Sequence, residues 1–375
     1  MTVPSLPAPR AGDLLRALKG RARPFDPRPW SHFKDERSLR VFRRGSLALA
    51  ASAQALRAAT GRALTLRVPA YFCSEALQPL REQGVRLHFY PIGEDLEPDW
   101  ERIAEAPDVH PEEAQAFLLV HFFGFPRGLE RASEFCAERS WVRIDDAAHL
   151  AQVEGLRPGP FLIQSPRKVL AVPAGGLLFA SAEYAPFLPD PRQTGVMEHT
   201  ASWLTRRLVQ KSLVSLRVSW HRVRPFRARR ATKPIDASAG CDPFALGMLN
   251  AVAASLPKAA AKRRANFLRL LESLPSRSVV RPLHPQLSLD ACPFALPLVC
   301  EGDCGPLVEG LNGEGVPALR WPDLPPEVLE TPERFPTAID LAKRLFLIPV
   351  HQELSERHLL LMEQTLHRAL QGGAA

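Results

Sequence analysis

Lysine is scarce in this chain. Its 48 basic residues are nearly all arginine, and Lys168 is the sole lysine between Lys34 and Lys211. That scarcity singles out one amine. Other absences narrow the class. No apolar run reaches the roughly 20 residues that a bilayer-spanning helix needs. The opening stretch MTVPSLPAPRAGDLL lacks the apolar core of an export signal. The six cysteines (Cys73, Cys136, Cys241, Cys292, Cys300 and Cys304) show no paired framework. Cys300 and Cys304 are close in sequence, but no second ligand pair follows, so no metal site is expected. Scattered cysteines without an export signal point to reduced thiols and a cytoplasmic setting. There is no internal repeat and no low-complexity segment.

The charge is local. The formal net charge is +8. Residues 201–233 hold ten Lys or Arg and no acid, more than the whole net charge. The rest of the chain is therefore close to balanced, unlike the chain-wide basic field of many nucleic-acid binders, and no nucleic-acid partner is expected. Leu213, Leu216, Trp220 and Val223 follow helical spacing, so part of the patch reads as an amphipathic helix. A solvated helix face is the plain reading. Docking on an anionic membrane surface, or steering a phosphorylated substrate, are the functional ones.

At 375 residues the chain can bury a large core and form two domains. Residues 1–35 read as an N-terminal arm or a short lead-in helix. From about residue 41, strand-like runs alternate with helical ones. The helical stretches are 46–59, 74–84, 99–106 and 128–140; the strands are 64–70, 86–90, 116–124 and 141–145. This alternation predicts an α/β fold with a large, mostly parallel sheet covered on both faces. Ligands of such sheets bind beyond the carboxyl ends of the strands. Residues 246–274 read as one long helix interrupted at Pro257. After it, strand-like runs at 293–300 and 344–350 alternate with helices at 305–315 and 355–370, as a smaller α+β domain. The expected boundaries are 36–245 and 246–375.

Lys168 lies in QSPRKVLAVPAGGLLFA (164–180), read as the end of a short strand, a loop carrying the lysine, and a Gly175-Gly176 pair opening the next strand. Asp146 and His149 precede it, in WVRIDDAAHL (141–150). A carboxylate at the end of a buried strand, followed by an isolated lysine, suits pyridoxal phosphate chemistry. The carboxylate keeps the pyridine nitrogen protonated, and the lysine holds the aldehyde covalently. In RRGSLAL (43–49) a Gly45-Ser46 turn opens a helix. Its free N–H groups and the Ser46 hydroxyl could hold a phosphate, although a plain serine N-cap reads the same way.

Six segments in order resemble the DegT/DnrJ/StrS family of pyridoxal-phosphate-dependent sugar aminotransferases. They are RRGSLAL (43–49), VPAYFC (68–73), VHFFGFP (120–126), IDDAAHL (144–150), SPRKVLAVPAGG (165–176) and IPVHQELSE (348–356). The resemblance covers about residues 40–180 and the C-terminal end. It implies a fold type I homodimer with its active site at the subunit interface. Lys168 would be the catalytic residue, binding the cofactor covalently and moving the proton. Asp146 would pair with the ring nitrogen, and His149 would contact the ring hydroxyl. Gly45, Ser46 and the backbone of Leu47 would hold the phosphate. Either Tyr71 or Phe72 would lie against the ring, with Phe72 favoured. The implied reaction moves an amino group, from glutamate, to a keto group of a nucleotide-linked sugar for polysaccharide or antibiotic-sugar synthesis. A non-nucleotide carbonyl substrate is one alternative. An inactive relative that binds a partner or a membrane through 201–233 is another. Two departures stand out. Asp242 falls where the family places an asparagine near the partner's cofactor phosphate, and Pro173-Ala174-Gly175-Gly176 replaces a Gly-Glu-Gly-Gly loop.

Overall fold

Apolar runs and strong helix formers set the alternation of elements in a computed structural model of the chain. It describes all residues except 1, 22, 31–32, 34, 106–109, 151–154, 194–197, 216–235, 276–278, 322 and 372–375. The first half contains α1 (Ala11–Gly20), β1 (Arg37–Phe42), α2 (Gly45–Thr60), β2 (Leu64–Pro69), α3 (Ser74–Glu82), β3 (Arg86–Tyr90), α4 (Trp100–Glu105), β4 (Ala114–Val120), α5 (Leu129–Glu138), β5 (Val142–Ala147), β6 (Phe161–Gln164), α6 (Pro166–Val169), β7 (Gly176–Ser181) and α7 (Glu198–Ser215). The second half contains α8 (Pro243–Ala253), α9 (Leu256–Glu272), β8 (Val280–Pro282), β9 (Ala295–Cys300), α10 (Gly305–Gly313), β10 (Leu319–Arg320), α11 (Pro326–Leu329), α12 (Pro336–Arg344), β11 (Leu345–Pro349) and α13 (Glu356–Gln371).

Seven strands form the large sheet, in the order β1-β7-β6-β5-β4-β2-β3. The run from β6 to β3 is parallel, while β7 is antiparallel to both its neighbours. Every residue of β2, β6 and β9 is buried, as expected for strands covered on both faces. The alanine-rich α2 packs on this sheet and stops at Gly61, whose φ of 66° supplies the left-handed turn that ends the helix. A second, antiparallel sheet has the order β10-β11-β9-β8, with α9 and α12 against it.

Several expectations need correction. Of the two readings of residues 1–35, the short lead-in helix is present, as α1. Helix α1 packs closely on α8, where a Cβ at Gly247 would lie 2.7 Å from the Ala17 carbonyl, and the Val3 N–H donates to the Gly315 carbonyl at 2.9 Å. Strand β1 extends into what read as lead-in sequence and pairs with β7 from Arg37 to Phe42. The apolar run 116–124 overshoots: β4 ends at Val120 and Phe122–Gly124 form a short 3-10 turn. The helix read over 246–274 is two helices bent by 69° around residues 254–255, just before Pro257. Of the basic stretch, α7 carries Arg206 and Arg207, whereas 216–235, with Leu216, Trp220 and Val223, lies outside the described residues, and so does the Leu213 side chain. No disulfide links any of the six cysteines. Among the described residues, no single helix is long and apolar enough to cross a membrane.

Candidate active site

The carboxyl ends of β5 and β6 and the start of α2 converge on one cavity. Gly45, Ser46, Phe72, Asp146, His149 and Lys168 all line it. Leu47 does not. Its side chain is buried in the core and its N–H donates to the Arg44 carbonyl at 3.1 Å. Lys168 sits in the helical turn of α6 rather than in an open loop, because Ser165-Pro166 starts a turn that the proline ring favours at its first position.

Glycines bring these pieces together. The backbone of Arg44 crosses the start of β7 so closely that a Cβ at Gly176 would lie 2.1 Å from the Arg44 carbonyl oxygen. Gly175 takes φ 145° beside it, a conformation that L side chains rarely adopt. On the other side, a Cβ at Gly45 would come within 3.3 Å of the Ser165 Cβ. The N-terminus of α2 is therefore held against the α6 turn. Its cap residue is Arg44, not Ser46, and no side chain caps it. The positive end of a helix thus opens next to two serine hydroxyls.

The lysine is surrounded by protein. Its Nζ lies 3.1 Å from His149 Nε2. The other ring nitrogen, His149 Nδ1, accepts the Phe123 N–H at 3.3 Å. A neutral imidazole accepting at Nδ1 carries its proton on Nε2, so Nε2–H donates to the amine lone pair. Burial pushes the His149 pKa well below the ordinary histidine value, and the nearby Lys168 adds to this. Burial also lowers the Lys168 pKa, against the attraction of Asp146 and together with the repulsion of Arg167. Burial shifts both groups toward their neutral forms. The His149 ring lies between Phe123 and Phe294, with centroids at 5.8 and 4.7 Å and planes within 20°, and meets the edge of Trp321. Phe123 has φ 54°, an uncommon conformation for a non-glycine residue, which turns its N–H toward the histidine.

Asp146 lines the cavity and accepts the Ala148 N–H at 2.8 Å. Burial raises its pKa, and Lys168 works against that rise. Of the aromatic pair, Phe72 lines the cavity. Tyr71 points into the core, where its hydroxyl donates to the Trp321 carbonyl. Asp242 is a buried helix cap: it accepts the Ala245 N–H at 2.9 Å and the Thr200 hydroxyl at 2.7 Å.

Sequence reasoning missed Ser165, Arg167 and Trp321, which also line the cavity. The Ser-Pro step just before the lysine could have revealed Ser165. Trp321 comes from the far end of the chain, next to β10, and no local signal marks it.

No protein-family profile matches the sequence, and no curated protein aligns with it. Solved structures do match. PseC of Helicobacter pylori, an aminotransferase involved in the biosynthesis of pseudoaminic acid, is 14% identical over 99% of both chains, with a TM-score of 0.73. DesI, solved in the presence of its TDP-sugar product, is 16% identical over 99% of this chain and 93% of its own, with a TM-score of 0.69. A DegT DnrJ EryC1 StrS aminotransferase from Brucella abortus is 17% identical over 88% and 84%, with a TM-score of 0.63. The chain has the fold of these proteins, with the larger mostly parallel sheet followed by the smaller antiparallel one.

Proposed function

We propose that the protein is a pyridoxal-phosphate-dependent aminotransferase of the DegT/DnrJ/StrS type. One observation carries this reading. A buried lysine amine, 3.1 Å from His149 Nε2, shares a cavity with a strand-end carboxylate and an uncapped helix N-terminus. The donor set fits the cofactor. Asp146 would hold the ring nitrogen, and the Gly45-Ser46 end of α2, with the Ser165 hydroxyl, would hold the phosphate. When bound, the cofactor supplies an aldehyde and a protonated ring that accepts electrons.

The chain's residues do the rest. Lys168, whose pKa burial lowers, would be the amine that holds the cofactor's aldehyde. The same amine, facing the cavity, would be the base that takes a proton from the donor's Cα onto Nζ. His149, fixed by Phe123 and the rings on either side, orients the amine. Asp146 is ionised when a cation pairs with it, since a nearby positive charge offsets the burial that raises its pKa. Phe72 lines the cavity, where its ring would lie against the cofactor ring.

The finer reading is amino transfer from glutamate to a keto group on a nucleotide-linked sugar, by a homodimer with a large domain over 36–245 and a small one over 246–375. DesI, which has the same fold and was solved in the presence of its TDP-sugar product, supports the substrate class. The test is the visible spectrum of the purified protein with added pyridoxal phosphate, for the wild type and Lys168→Ala. The expected result is a band in the wild type that glutamate bleaches and that the variant lacks. A wild type without a band overturns the reading.

A further inference from the structure

Arg263, on α9, is a cation in the core, with 1% of its surface exposed. Among the described residues no carboxylate pairs with it. Its Nε donates to Gln352 Oε1 at 2.9 Å, its Nη1 to the Pro293 and Phe294 carbonyls at 3.2 and 3.1 Å, and its Nη2 to the Val169 carbonyl at 2.6 Å. Burial lowers its pKa to about 10, so it stays charged at neutral pH. A charge buried among neutral oxygens carries a large desolvation cost. What it supplies in return is a rigid fork of five N–H donors, which no other side chain offers.

The acceptors show where the fork is aimed. Val169 follows Lys168 and ends α6, a helix of four residues whose last carbonyl has no partner within the helix. Arg263 gives that carbonyl one donor, and the Gln352 amide gives it a second at 3.2 Å. Phe294 carries the ring 4.7 Å from His149, and its N–H donates to the Phe123 carbonyl at 2.7 Å. One guanidinium therefore holds the backbone next to the lysine and the backbone of the residue whose ring flanks the histidine. Between those two holds, Lys168 Nζ and His149 Nε2 meet at 3.1 Å. Gln352 is itself fixed from α9. Three residues after Arg263, the buried Asn266 amide donates to the Val350 and His351 carbonyls at 3.2 and 3.1 Å. Gln352 lies in IPVHQELSE (348–356), the resembling segment that the proposed chemistry leaves without a role.

We infer that Arg263, braced by Gln352, is a positioning residue that sets the Lys168–His149 contact, holding Val169 behind the lysine and Phe294 behind the histidine. Its part in catalysis rests on the proposed aminotransferase reading. The contact it sets belongs to the chain itself and can be measured without the cofactor.

The experiment is trace acetylation of the full-length, cofactor-free protein with acetic anhydride over a pH series, with the Lys168 peptide read by mass spectrometry. The proteins are the wild type, Arg263→Lys, Gln352→Met in case the first does not fold, His149→Phe, and each positioning variant combined with His149→Phe. Losing the contact takes the His149 donor away from the amine, so the reaction midpoint of Lys168 should rise by roughly 0.4–1 pH unit in Arg263→Lys and in Gln352→Met. In the His149→Phe background neither substitution should move it further. Asp242→Ala, which removes a helix cap, is the control for lost stability and should leave the midpoint in place. An unchanged midpoint in the positioning variants would overturn the inference. So would a rise that persists undiminished in the His149→Phe background, since Arg263 would then act on the burial of Lys168 and not on the contact. A rise of the same size in Asp242→Ala would also overturn it, by reducing the effect to general loosening. A wild type with no visible band on adding pyridoxal phosphate, beside the expected midpoints, would instead remove the aminotransferase reading and leave the positioning of the pair standing.

Discussion

Asp145 and Asp146 are consecutive in β5 and face opposite sides of the sheet. Asp145 is fully buried and pairs with Arg143 Nε at 3.1 Å, with His121 Nε2 at 3.3 Å and with the Gly159 N–H at 2.6 Å. Asp146 faces the Lys168 cavity. The strand's alternation separates a structural carboxylate from the candidate cofactor partner.

The two aspartates should therefore respond oppositely to the same substitution. For Asp145, burial tends to raise the pKa, but the hydrogen bond from His121 and the charge of Arg143 outweigh it, and the net shift is downward. A lowered folded pKa contributes stability above the ordinary carboxylate range and loses it as the pH falls through the folded value. Asp145→Asn also leaves the buried Arg143 without its counter-charge, at a cost of about 3–5 kcal/mol. Asp146 has a raised folded pKa, so its ionisation costs stability as the pH rises from the ordinary carboxylate value through the folded one. Asp146→Asn should keep or increase the stability of the cofactor-free protein while abolishing amino transfer. Urea unfolding at neutral pH, beside an activity assay, checks both. Equal losses of stability in the two variants would refute the assignment.

The contact between His149 and Lys168 predicts a titration. A neutral donor at Nε2 favours the unprotonated amine. His149→Phe keeps the aromatic stack and removes that donor, so the Lys168 pKa should rise. A hydrogen bond of roughly 1 kcal/mol corresponds to a shift of up to about one unit. The pH dependence of the rate of pyridoxal phosphate addition reads this directly. The wild-type midpoint should lie below that of an ordinary lysine, and the variant's above the wild type's. Because the folded pKa of Lys168 is lowered, the cofactor-free protein also gains stability as the pH rises from that value to the ordinary lysine value. Lys168→Met should remove that slope.

Much of this was legible in the sequence because the signals are local. The alanine-rich α2, the buried apolar strands and the spacing of Asp146, His149 and Lys168 all survive in one dimension. What was not legible depends on neighbours far along the chain. Strand β1 carries two arginines in six residues and reads as polar lead-in; only its pairing with β7 makes it a strand. Phe122 and Phe123 are as apolar as the strand before them. The chain turns there, and the lack of a side chain at Gly124 lets its backbone approach the Cys292 carbonyl, which a Cβ would meet at 2.1 Å, a contact between the two halves of the molecule. Four residues of α6 are too few for any periodicity. Arg263, Phe294 and Gln352 come from three separate stretches to meet behind Lys168, and nothing in the sequence announces their meeting.

Gly176 tests how far backbone packing alone sets up the site. An alanine there would place its Cβ 2.1 Å from the Arg44 carbonyl oxygen, a backbone atom that cannot swing aside. Either β7 or the start of α2 must move. Gly176→Ala should cost about 1–3 kcal/mol or more as an overpacking substitution. It should also weaken pyridoxal phosphate binding more than amine reactivity, because the displaced element is the helix end proposed to hold the phosphate. Thermal unfolding and cofactor titration measure the two effects. Unchanged cofactor affinity in a destabilised variant would detach the α2 N-terminus from the phosphate.

Asp242 tests the departure from the family pattern. Its carboxylate is occupied at both oxygens, by the Ala245 N–H at the start of α8 and by the Thr200 hydroxyl on α7. A capping aspartate contributes about 0.5–2 kcal/mol. Asp242→Ala should therefore lower stability by about that amount and leave the cofactor affinity of the folded protein unchanged. Asp242→Asn preserves the acceptor for Ala245 and should recover most of the loss. If the carboxylate instead faced a bound phosphate across a subunit interface, Asp242→Asn would remove a repulsion and tighten cofactor binding severalfold. Titration of pyridoxal phosphate into the three proteins separates the cases, and a tighter-binding asparagine variant would mean that Asp242 faces the partner's site after all.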